Sequence, residues 1–271
     1  YKSAEVPTSW TTELKKYCNE IEITMFSTPY DIEMVEHLND YVDCYKIGSG
    51  DLAFNLMIET VAKTKKPVMI ATGASTLDEV VNAVEILRKN NVDIVLMQCN
   101  TNYTGNDENF DFINLNVLKT YKNLFPDVII GLSDHTHGPV TTLGAVALGA
   151  RVVEKHFTDD NDRHGPDHPF SMNPKSWREM VDQTRILERS MGTGIKKVED
   201  NEKETVVLQR RAMRLVRDLK QGDLITMSDF EFQRPCPEDA LSINKFNEII
   251  NNKVNRNILC GEYIRAEDID L

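Results

Sequence analysis

Long apolar runs, paired cysteines and an excess of positive charge are all missing from this 271-residue chain. No stretch approaches the ~18 apolar residues of a membrane-spanning helix, and no signal peptide is recognisable, so no membrane partner is expected. The five cysteines have no CxxC spacing and are odd in number, which favours buried free thiols in a reducing cytoplasm. A formal net charge of −12 argues against nucleic acid as a partner. A local lysine cluster could still bind an anionic substrate.

Short apolar runs alternate with amphipathic stretches up to residue 189. The predicted strands are 21–27, 43–47, 67–71, 93–99, 127–132 and 151–157, and the predicted helices are 31–38, 56–63, 77–89, 114–124, 139–148 and 174–189. This alternation predicts a parallel sheet covered by helices, either an open doubly wound sheet or a barrel. No GxGxxG follows a strand, which disfavours the nucleotide-binding open sheet. Polar residues follow nearly every strand, as at the mouth of a barrel, so we predict an α/β fold of the (β/α)8 TIM barrel type.

The predicted barrel is incomplete, because a closed barrel of this class has about eight strands and six are recognisable. We therefore expect that the first two strands are missing from this chain. We place the barrel domain at residues 1–191. A polar, glycine-containing linker follows at 192–204, and a second domain occupies 205–271.

The second predicted domain contains an internal repeat. Residues 218–230 resemble 257–269 at a constant offset, with Gly222 corresponding to Gly261. The repeat predicts a small β-rich domain with internal two-fold symmetry. A core of that size is marginal by itself, so we expect it to dock on a barrel, either its own or a partner's.

Two histidines follow successive predicted strands, His135 after the fifth and His156 at the end of the sixth. Imidazole is a good ligand for manganese, iron, cobalt or zinc, and neighbouring strand ends can share one ion. The alternative is that both rings only hydrogen-bond to loops. We predict a divalent metal site at these two residues, with the nearby His137 outside the ligand set.

The segment 45–51 contains the clearest predicted anion site. A lysine at a strand end, Lys46, needs an anionic partner if it is buried. Ser49 lies between glycines whose N–H groups suit phosphate, and Asp51 could transfer a proton. The alternative is a structural ion pair between Lys46 and Asp51. A weaker candidate for an anion site is the small-residue loop at 71–76, which ends at a helix N-terminus. The turn at 164–168 contains two histidines and could be a lid or a substrate clamp, but by itself it favours a solvated turn.

Four short motifs together resemble the sialic acid synthase family, the phosphoenolpyruvate-dependent nonulosonate synthases. They are GSGD at 48–51, SDHT at 133–136, EKHF at 154–157 and GPDH at 165–168. The resemblance covers essentially the whole chain. Its C-terminal part is similar to the SAF, or type III antifreeze-like, domain, whose pseudo-two-fold fold agrees with the repeat.

The resemblance implies that phosphoenolpyruvate condenses with an N-acetylated amino sugar, such as N-acetylmannosamine, and that phosphate is released. It implies Mn²⁺, with Mg²⁺ or Co²⁺ as alternatives, on His135 and His156. It also implies a cytoplasmic, domain-swapped homodimer. The family's opening strands supply a Glu near the metal and a Lys on the phosphate, and neither has a counterpart here. We therefore expect weak metal binding by this chain.

The resemblance also assigns roles to individual side chains. Lys46 and Asp51 would be catalytic. The implied phosphoenolpyruvate site consists of Thr28, Lys46, Ser49, Thr72, Thr101 and Ser133. The implied sugar contacts are Tyr103, Asp167 and Arg234, the last from the partner's small domain. A Cys-Pro pair after Arg234-Pro235 replaces the family's usual glycine-rich turn and changes the loop that carries this arginine.

Two other functions remain open from the sequence. One is a different phosphoenolpyruvate-dependent sugar-acid synthase, which would need a second basic pocket. The other is a carbohydrate-binding homologue without turnover, which the retained cluster of Lys46, Asp51, His135 and His156 argues against. The sequence does not distinguish N-acetylmannosamine from the diacetamido sugars that lead to legionaminic or pseudaminic acid.

Overall fold

The fold was analysed in a computed structural model, which describes residues 6–269. It contains two compact units, one ending at Thr193 and the other beginning at Gly194. The outermost residues of both predicted domains, 1–5 and 270–271, lie outside the described residues. We describe each unit by itself.

A parallel sheet forms the centre of the first unit. In the part that the structure describes, its six strands are β1 Phe26–Ser27, β2 Cys44–Ile47, β3 Val68–Ala71, β4 Ile94–Cys99, β5 Ile129–Asp134 and β6 Val152–Lys155. Their spatial order follows the chain order, so each strand pairs with its neighbours in sequence. The sheet is curled into a half-barrel. The predicted α/β class and parallel alternation are therefore confirmed, whereas a closed eight-stranded ring is not formed by residues 6–269.

Helices cover one face of this sheet. Over residues 6–193 they are α1 Thr11–Glu20, α2 Ile32–Leu38, α3 Asn55–Lys63, α4 Leu77–Lys89, α5 Val117–Leu124, α6 Val140–Ala147 and α7 Pro174–Ser190. All except α1 coincide closely with predicted helices. α1 was missed because it has few apolar residues, and among its side chains only Thr11 is buried. The first predicted strand, 21–27, is reduced to its last two residues.

Side-chain hydrogen bonds explain where two of these helices begin. Glu79 accepts from the Thr76 N–H at 2.6 Å and Thr76 accepts from the Glu79 N–H, which forms a capping box before α4. Asn173 accepts from the Ser176 N–H at 2.9 Å before α7, and Pro174 occupies the first helical position. Such caps satisfy N–H groups that have no partner inside the helix.

The two faces of the sheet differ in chemistry. Successive residues of a strand point to opposite faces, so alternate positions form separate sets. One set packs under the helices and forms the core, and its largest members include Tyr45, Ile47, Ile70, Leu96 and Leu132. The opposite set contains polar side chains near the strand ends, namely Lys46, Ser133 and Glu154. The sheet therefore has an apolar face toward the helices and a partly polar face on the other side.

The second unit contains α8 Lys203–Gln209, the antiparallel strands β7 Ala212–Leu215 and β8 Phe230–Gln233, and the short helix α9 Phe246–Ile249. Its own core consists of ten buried apolar residues among those that the structure describes. The predicted small antiparallel β domain is confirmed.

The internal repeat of the second unit is also confirmed, and its two halves exchange hydrogen bonds. Leu219 and Ile258 donate to each other's carbonyls at 2.9 and 2.8 Å. Gly222 and Gly261 occupy equivalent turns with φ of 92° and 86°, where a side chain would be strained. Each half therefore completes the backbone hydrogen bonding of the other.

Two further sequence-based expectations can be compared with the fold. Within residues 6–269, no helix combines the length and apolar character needed to cross a bilayer. Cys18, Cys44, Cys99, Cys236 and Cys260 are free thiols, as predicted, but the expectation that they are buried holds only for Cys99.

Candidate functional site

The paired ends of β5 and β6 lead directly to the two predicted metal ligands. Ser133 pairs in register with Glu154, and Asp134 with Lys155. The first pair lies on the polar face, where the Ser133 hydroxyl donates to Glu154 at 2.8 Å. The second pair lies on the opposite face, where the Lys155 ammonium contacts Asp134 at 2.6 Å. The next residue along each strand is a predicted metal ligand, His135 after Asp134 and His156 after Lys155.

The imidazoles of His135 and His156 lie side by side, with ring centroids 5.1 Å apart. Nδ1 of His135 is 2.8 Å from the carbonyl of Asn100, and because a carbonyl only accepts, this nitrogen carries the proton. Nδ1 of His156 is 3.3 Å from the Asp167 carboxylate, which holds that ring in the same tautomer. The Nε2 lone pairs of both rings remain available for a ligand.

This arrangement fits a divalent metal in part. Metal-binding histidines characteristically donate their other ring N–H to a carbonyl or carboxylate, as both rings do here. Across residues 6–269, however, no group of three or more His, Cys, Asp or Glu side chains could hold an ion. The described residues therefore offer two imidazole ligands, and the metal site stays a prediction.

Burial and neighbouring groups shift the pKa values of the two imidazoles in opposite directions. Burial lowers the pKa of His156, and the neighbouring His135 lowers that pKa further. Burial also acts to lower the pKa of His135, but hydrogen bonds to Cys99 and to the Asn100 carbonyl outweigh it, and the pKa is raised. His156 is therefore the ring held more strongly in the neutral form that a metal requires.

Aromatic rings enclose the histidine pair. The ring centroid of Tyr103 is 4.3 Å from that of His135, and Phe170 lies 5.2 Å from His156. Tyr103 remains half exposed, so its edge can contact a bound molecule. Burial raises the pKa of its hydroxyl, which stays protonated and can donate a hydrogen bond at neutral pH.

Lys46 is the cation of the site. Its ammonium lies 3.1 Å from Glu154, and only 6% of the lysine side chain is exposed. Lys46 therefore pairs with Glu154 rather than with Asp51, the partner in the alternative interpretation. Glu154 was missing from the predicted site, although its position two residues before His156 places both on one face of the strand.

Ser49 and Thr101 converge at Gly73, which was also missing from the predicted site residues. The Gly73 N–H donates to the Ser49 hydroxyl at 3.0 Å. A Cβ at Gly73 would lie 1.8 Å from the Thr101 hydroxyl and 2.9 Å from that of Ser49. Only a glycine lets these two hydroxyls approach this closely.

Thr72 is not brought into this group. Its hydroxyl donates to the Met97 carbonyl and accepts from the Tyr121 hydroxyl, both at 3.0 Å. Both partners belong to the protein, and the side chain is buried. Alternation along the chain turns Thr72 away from the side occupied by the Ser49 and Thr101 hydroxyls.

Thr28 and Asp51 lie at the other end of the row of strands. Thr28 follows β1, and its methyl group is 3.9 Å from the position that a Cβ on Gly48 would take. Asp51 ends a short 3-10 turn after β2, and burial raises the pKa of its carboxyl.

The loop after β6 carries Asp167. Asn161 holds this loop, because its side-chain amide donates to the carbonyls of His168 and Ser171, each at 2.8 Å. His168 contacts the Thr158 hydroxyl at 2.7 Å, so this histidine is engaged within the protein. Asp167 remains partly exposed beside His156.

Arg234 belongs to the second unit, where its Nε donates to the carbonyl of Gln209 at 2.5 Å. The side chain is exposed at the edge of an open cavity that Arg214 also lines. The structure thus gives Arg234 an accessible position within its own unit.

The chain thus combines an α/β half-barrel that has polar strand ends with a small β unit that has an internal repeat. A family model of the NeuB family matches residues 1–196, and one of the SAF domain matches residues 210–270. The chain therefore belongs to the NeuB family.

Similar proteins include an N,N'-diacetyllegionaminic acid synthase of Campylobacter jejuni, 32% identical over 93% of this chain and 75% of the relative. A pseudaminic acid synthase of the same species is 30% identical over 99% of this chain and 77% of the relative. The crystal structure of an N-acetylneuraminic acid synthetase from Leptospira borgpetersenii aligns with a TM-score of 0.70 at 30% identity. That alignment covers 76% of this chain and 71% of the solved one.

Proposed function

We propose that the protein is a nonulosonate synthase that joins phosphoenolpyruvate to an N-acylated amino sugar, such as N-acetylmannosamine, and releases phosphate. The observation that carries this proposal is the placement of the buried Lys46 and its partner Glu154 beside the His135–His156 pair. A cation and a pair of potential metal ligands are the two features that an anionic substrate and a sugar carbonyl require. The names of the relatives support the same class of reaction.

In this proposal the chain binds phosphoenolpyruvate through its cation and hydroxyls. Lys46 and Ser133 face one another across Glu154, and the anion would compete with this carboxylate for both groups. Ser49 and Thr101, brought together over Gly73, would bind the remaining oxygens. Thr28 would complete this site from the end of β1.

Carbon 3 of phosphoenolpyruvate attacks the sugar aldehyde, water adds to carbon 2, and phosphate leaves. A divalent ion, Mn²⁺ in our proposal with Mg²⁺ or Co²⁺ as alternatives, would be held by His135 and His156 and would supply Lewis-acid polarisation of the aldehyde. Asp51, whose pKa burial raises, would hold the proton exchanged near carbon 3. Tyr103 and Asp167 would position the sugar.

Three further features belong to the proposal. The six strands would form part of a (β/α)8 barrel, and the protein would act in the cytoplasm. Arg234, exposed on its unit, would reach the sugar site of a second copy in a domain-swapped homodimer.

The test is phosphate release from phosphoenolpyruvate by the natural full-length protein, with Mn²⁺ and each candidate sugar in turn. We expect release that depends on both sugar and metal, and a product whose mass identifies the sugar. His135→Asn should abolish it. His137→Asn is the matched control because that ring is about half exposed beside Asp107.

Release that does not depend on any N-acylated hexosamine would overturn the proposal. Heat of sugar binding without product formation would instead favour a carbohydrate-binding homologue. Turnover with a phosphorylated sugar alone would favour a different sugar-acid synthase.

A further inference from the structure

The most buried ion pair in the described chain lies directly behind the two imidazoles. Asp134 and Lys155 are 2.6 Å apart, and their side chains are 0% and 1% exposed. They lie on the face opposite to the rings. Each is joined covalently to one of them, since Asp134 precedes His135 and Lys155 precedes His156.

Hydrogen bonds extend this pair into a closed network. Asp134 also accepts from the hydroxyls of Thr136 at 2.8 Å and Thr141 at 2.6 Å. The Lys155 ammonium also donates to the Thr136 carbonyl at 2.8 Å. Because Thr141 belongs to α6, the network connects β5, the loop that follows it, the next helix and β6.

A buried ion pair contributes little net stability, because desolvation of both charges offsets their attraction. It does impose geometry, because its contacts have narrow distance and direction requirements. Here that geometry acts on the two residues that immediately precede the rings. The backbone positions from which the two rings extend are therefore held from behind, while Asn100 and Asp167 contact the rings themselves.

We infer that Asp134 and Lys155 are positioning residues that fix the separation of the His135 and His156 imidazoles. The inference rests on the proposed function for what the rings bind, but the spacing of the rings is a property of the protein alone.

Three variants distinguish an effect on the position of the histidines from an effect on the stability of the fold. Lys155→Met leaves a buried carboxylate without its counter-charge, and Asp134→Asn removes the negative charge while keeping the shape. The double variant removes both charges, so we expect its thermal midpoint to return to within a few degrees of the parent protein. We expect its Mn²⁺ affinity by calorimetry to stay ~10–100-fold weaker, the effect typical of losing a group that orients metal ligands. KM for phosphoenolpyruvate should change little.

Lys66→Met is the matched control, since Lys66 is partly buried at the start of β3 and donates to the carbonyls of Asn39 and Val42. It should lower stability without changing Mn²⁺ affinity. Full recovery of Mn²⁺ affinity in the double variant would overturn the inference.

The crystal structure of the double variant gives a readout that does not depend on metal or turnover. If the parent protein neither binds Mn²⁺ nor releases phosphate, the proposed function fails, and the ring separation alone judges the inference. A changed separation supports it. A separation unchanged from 5.1 Å contradicts it.

Discussion

Two lysine–carboxylate pairs use adjacent residues of β6, Glu154 and Lys155, and they differ in exposure and surroundings. Lys155 and Asp134 are sealed under the helices, with 1% and 0% of their side chains exposed. Lys46 is also buried, but its partner Glu154 keeps about a third of its side chain exposed. The first pair is enclosed by protein donors, whereas the second borders the polar face.

The difference follows from one residue of offset along β6. Glu154 and Lys155 are adjacent, so strand alternation sends them to opposite faces. On the helix side, an ion pair is enclosed by protein and can act only through the geometry that it imposes on the fold. On the other side, the same chemistry is available to exchange its carboxylate for an anionic ligand.

Single substitutions of Asp134 and Glu154 should lower the free energy of unfolding by different amounts. Asp134→Ala leaves the Lys155 ammonium buried and alone, and it should lower the free energy of unfolding by about 3–5 kcal/mol. Glu154→Ala removes a carboxylate that is about a third exposed, so water can enter beside the Lys46 ammonium, and we expect a smaller loss than for Asp134→Ala. Urea unfolding followed by tryptophan fluorescence measures both, because Trp10 and Trp177 lie in this unit. An equal loss of unfolding free energy in the two variants would contradict the proposed difference between the two ion pairs.

Removing the cation of the open pair should act on turnover instead. Lys46→Met should lower the rate of phosphate release by about 10²–10³, as expected for one preorganised donor to a developing charge. Its urea midpoint should change little. Lys63→Met, on the exposed surface of α3, is the matched control and should retain the parent rate. Parent-like turnover without Lys46 would remove it from the proposed anion site.

Filling the space at Gly73 should disturb the open face without touching either ion pair. The added methyl of Gly73→Ala would lie 1.8 Å from the Thr101 hydroxyl, so one element must shift at a cost of about 1–3 kcal/mol. We expect KM for phosphoenolpyruvate to rise more than kcat falls. Gly50→Ala is the control, since nothing lies within 4 Å of its Cβ. Identical kinetics for both variants would argue against the hydroxyl cluster.

A third pair, Arg217 with Asp229 in the second unit, provides a pH test. Burial raises the pKa of Asp229, but hydrogen bonds from Thr226 and Arg217 outweigh it and the pKa is lowered. A lowered folded-state pKa gives stability that is present above the unfolded value of about 3.9 and is lost as pH falls through the folded value. The stability difference between the parent protein and Asp229→Asn should therefore shrink below pH 4.

Amide exchange at Leu219 and Ile258 reports this unit directly, because both tryptophans lie in the other one. Asp200→Asn, whose side chain is 93% exposed, should show no comparable pH dependence. A pH-independent difference for Asp229→Asn would contradict the assigned role of its charge.

Local patterns in the sequence were sufficient to predict most of this architecture. Apolar runs and helical periodicity place β2 to β6 and α2 to α7 within a few residues, because burial dictates both patterns. The repeat predicts the two-fold second unit. The positions of His135 and His156 at the ends of neighbouring strands predict that the two rings lie close together, because parallel strands bring their carboxyl ends to one edge of the sheet.

The remaining features depend on contacts between distant segments, which no local pattern specifies. α1 buries almost nothing, so it carries little apolar periodicity. Thr72 looks like an anion-binding hydroxyl until its partners Met97 and Tyr121 are known. Glu154 and Gly73 acquire a role only from neighbours contributed by other strands.

The alternation in β6 has a consequence for insertions and deletions. If one residue were added or removed between Val152 and Glu154, every later side chain of the strand would point to the opposite face of the sheet. Lys155 would then face the site, while Glu154 and His156 would face the helices. The loop after β6 can change length without this effect. Within β6, substitutions should be tolerated better than insertions or deletions.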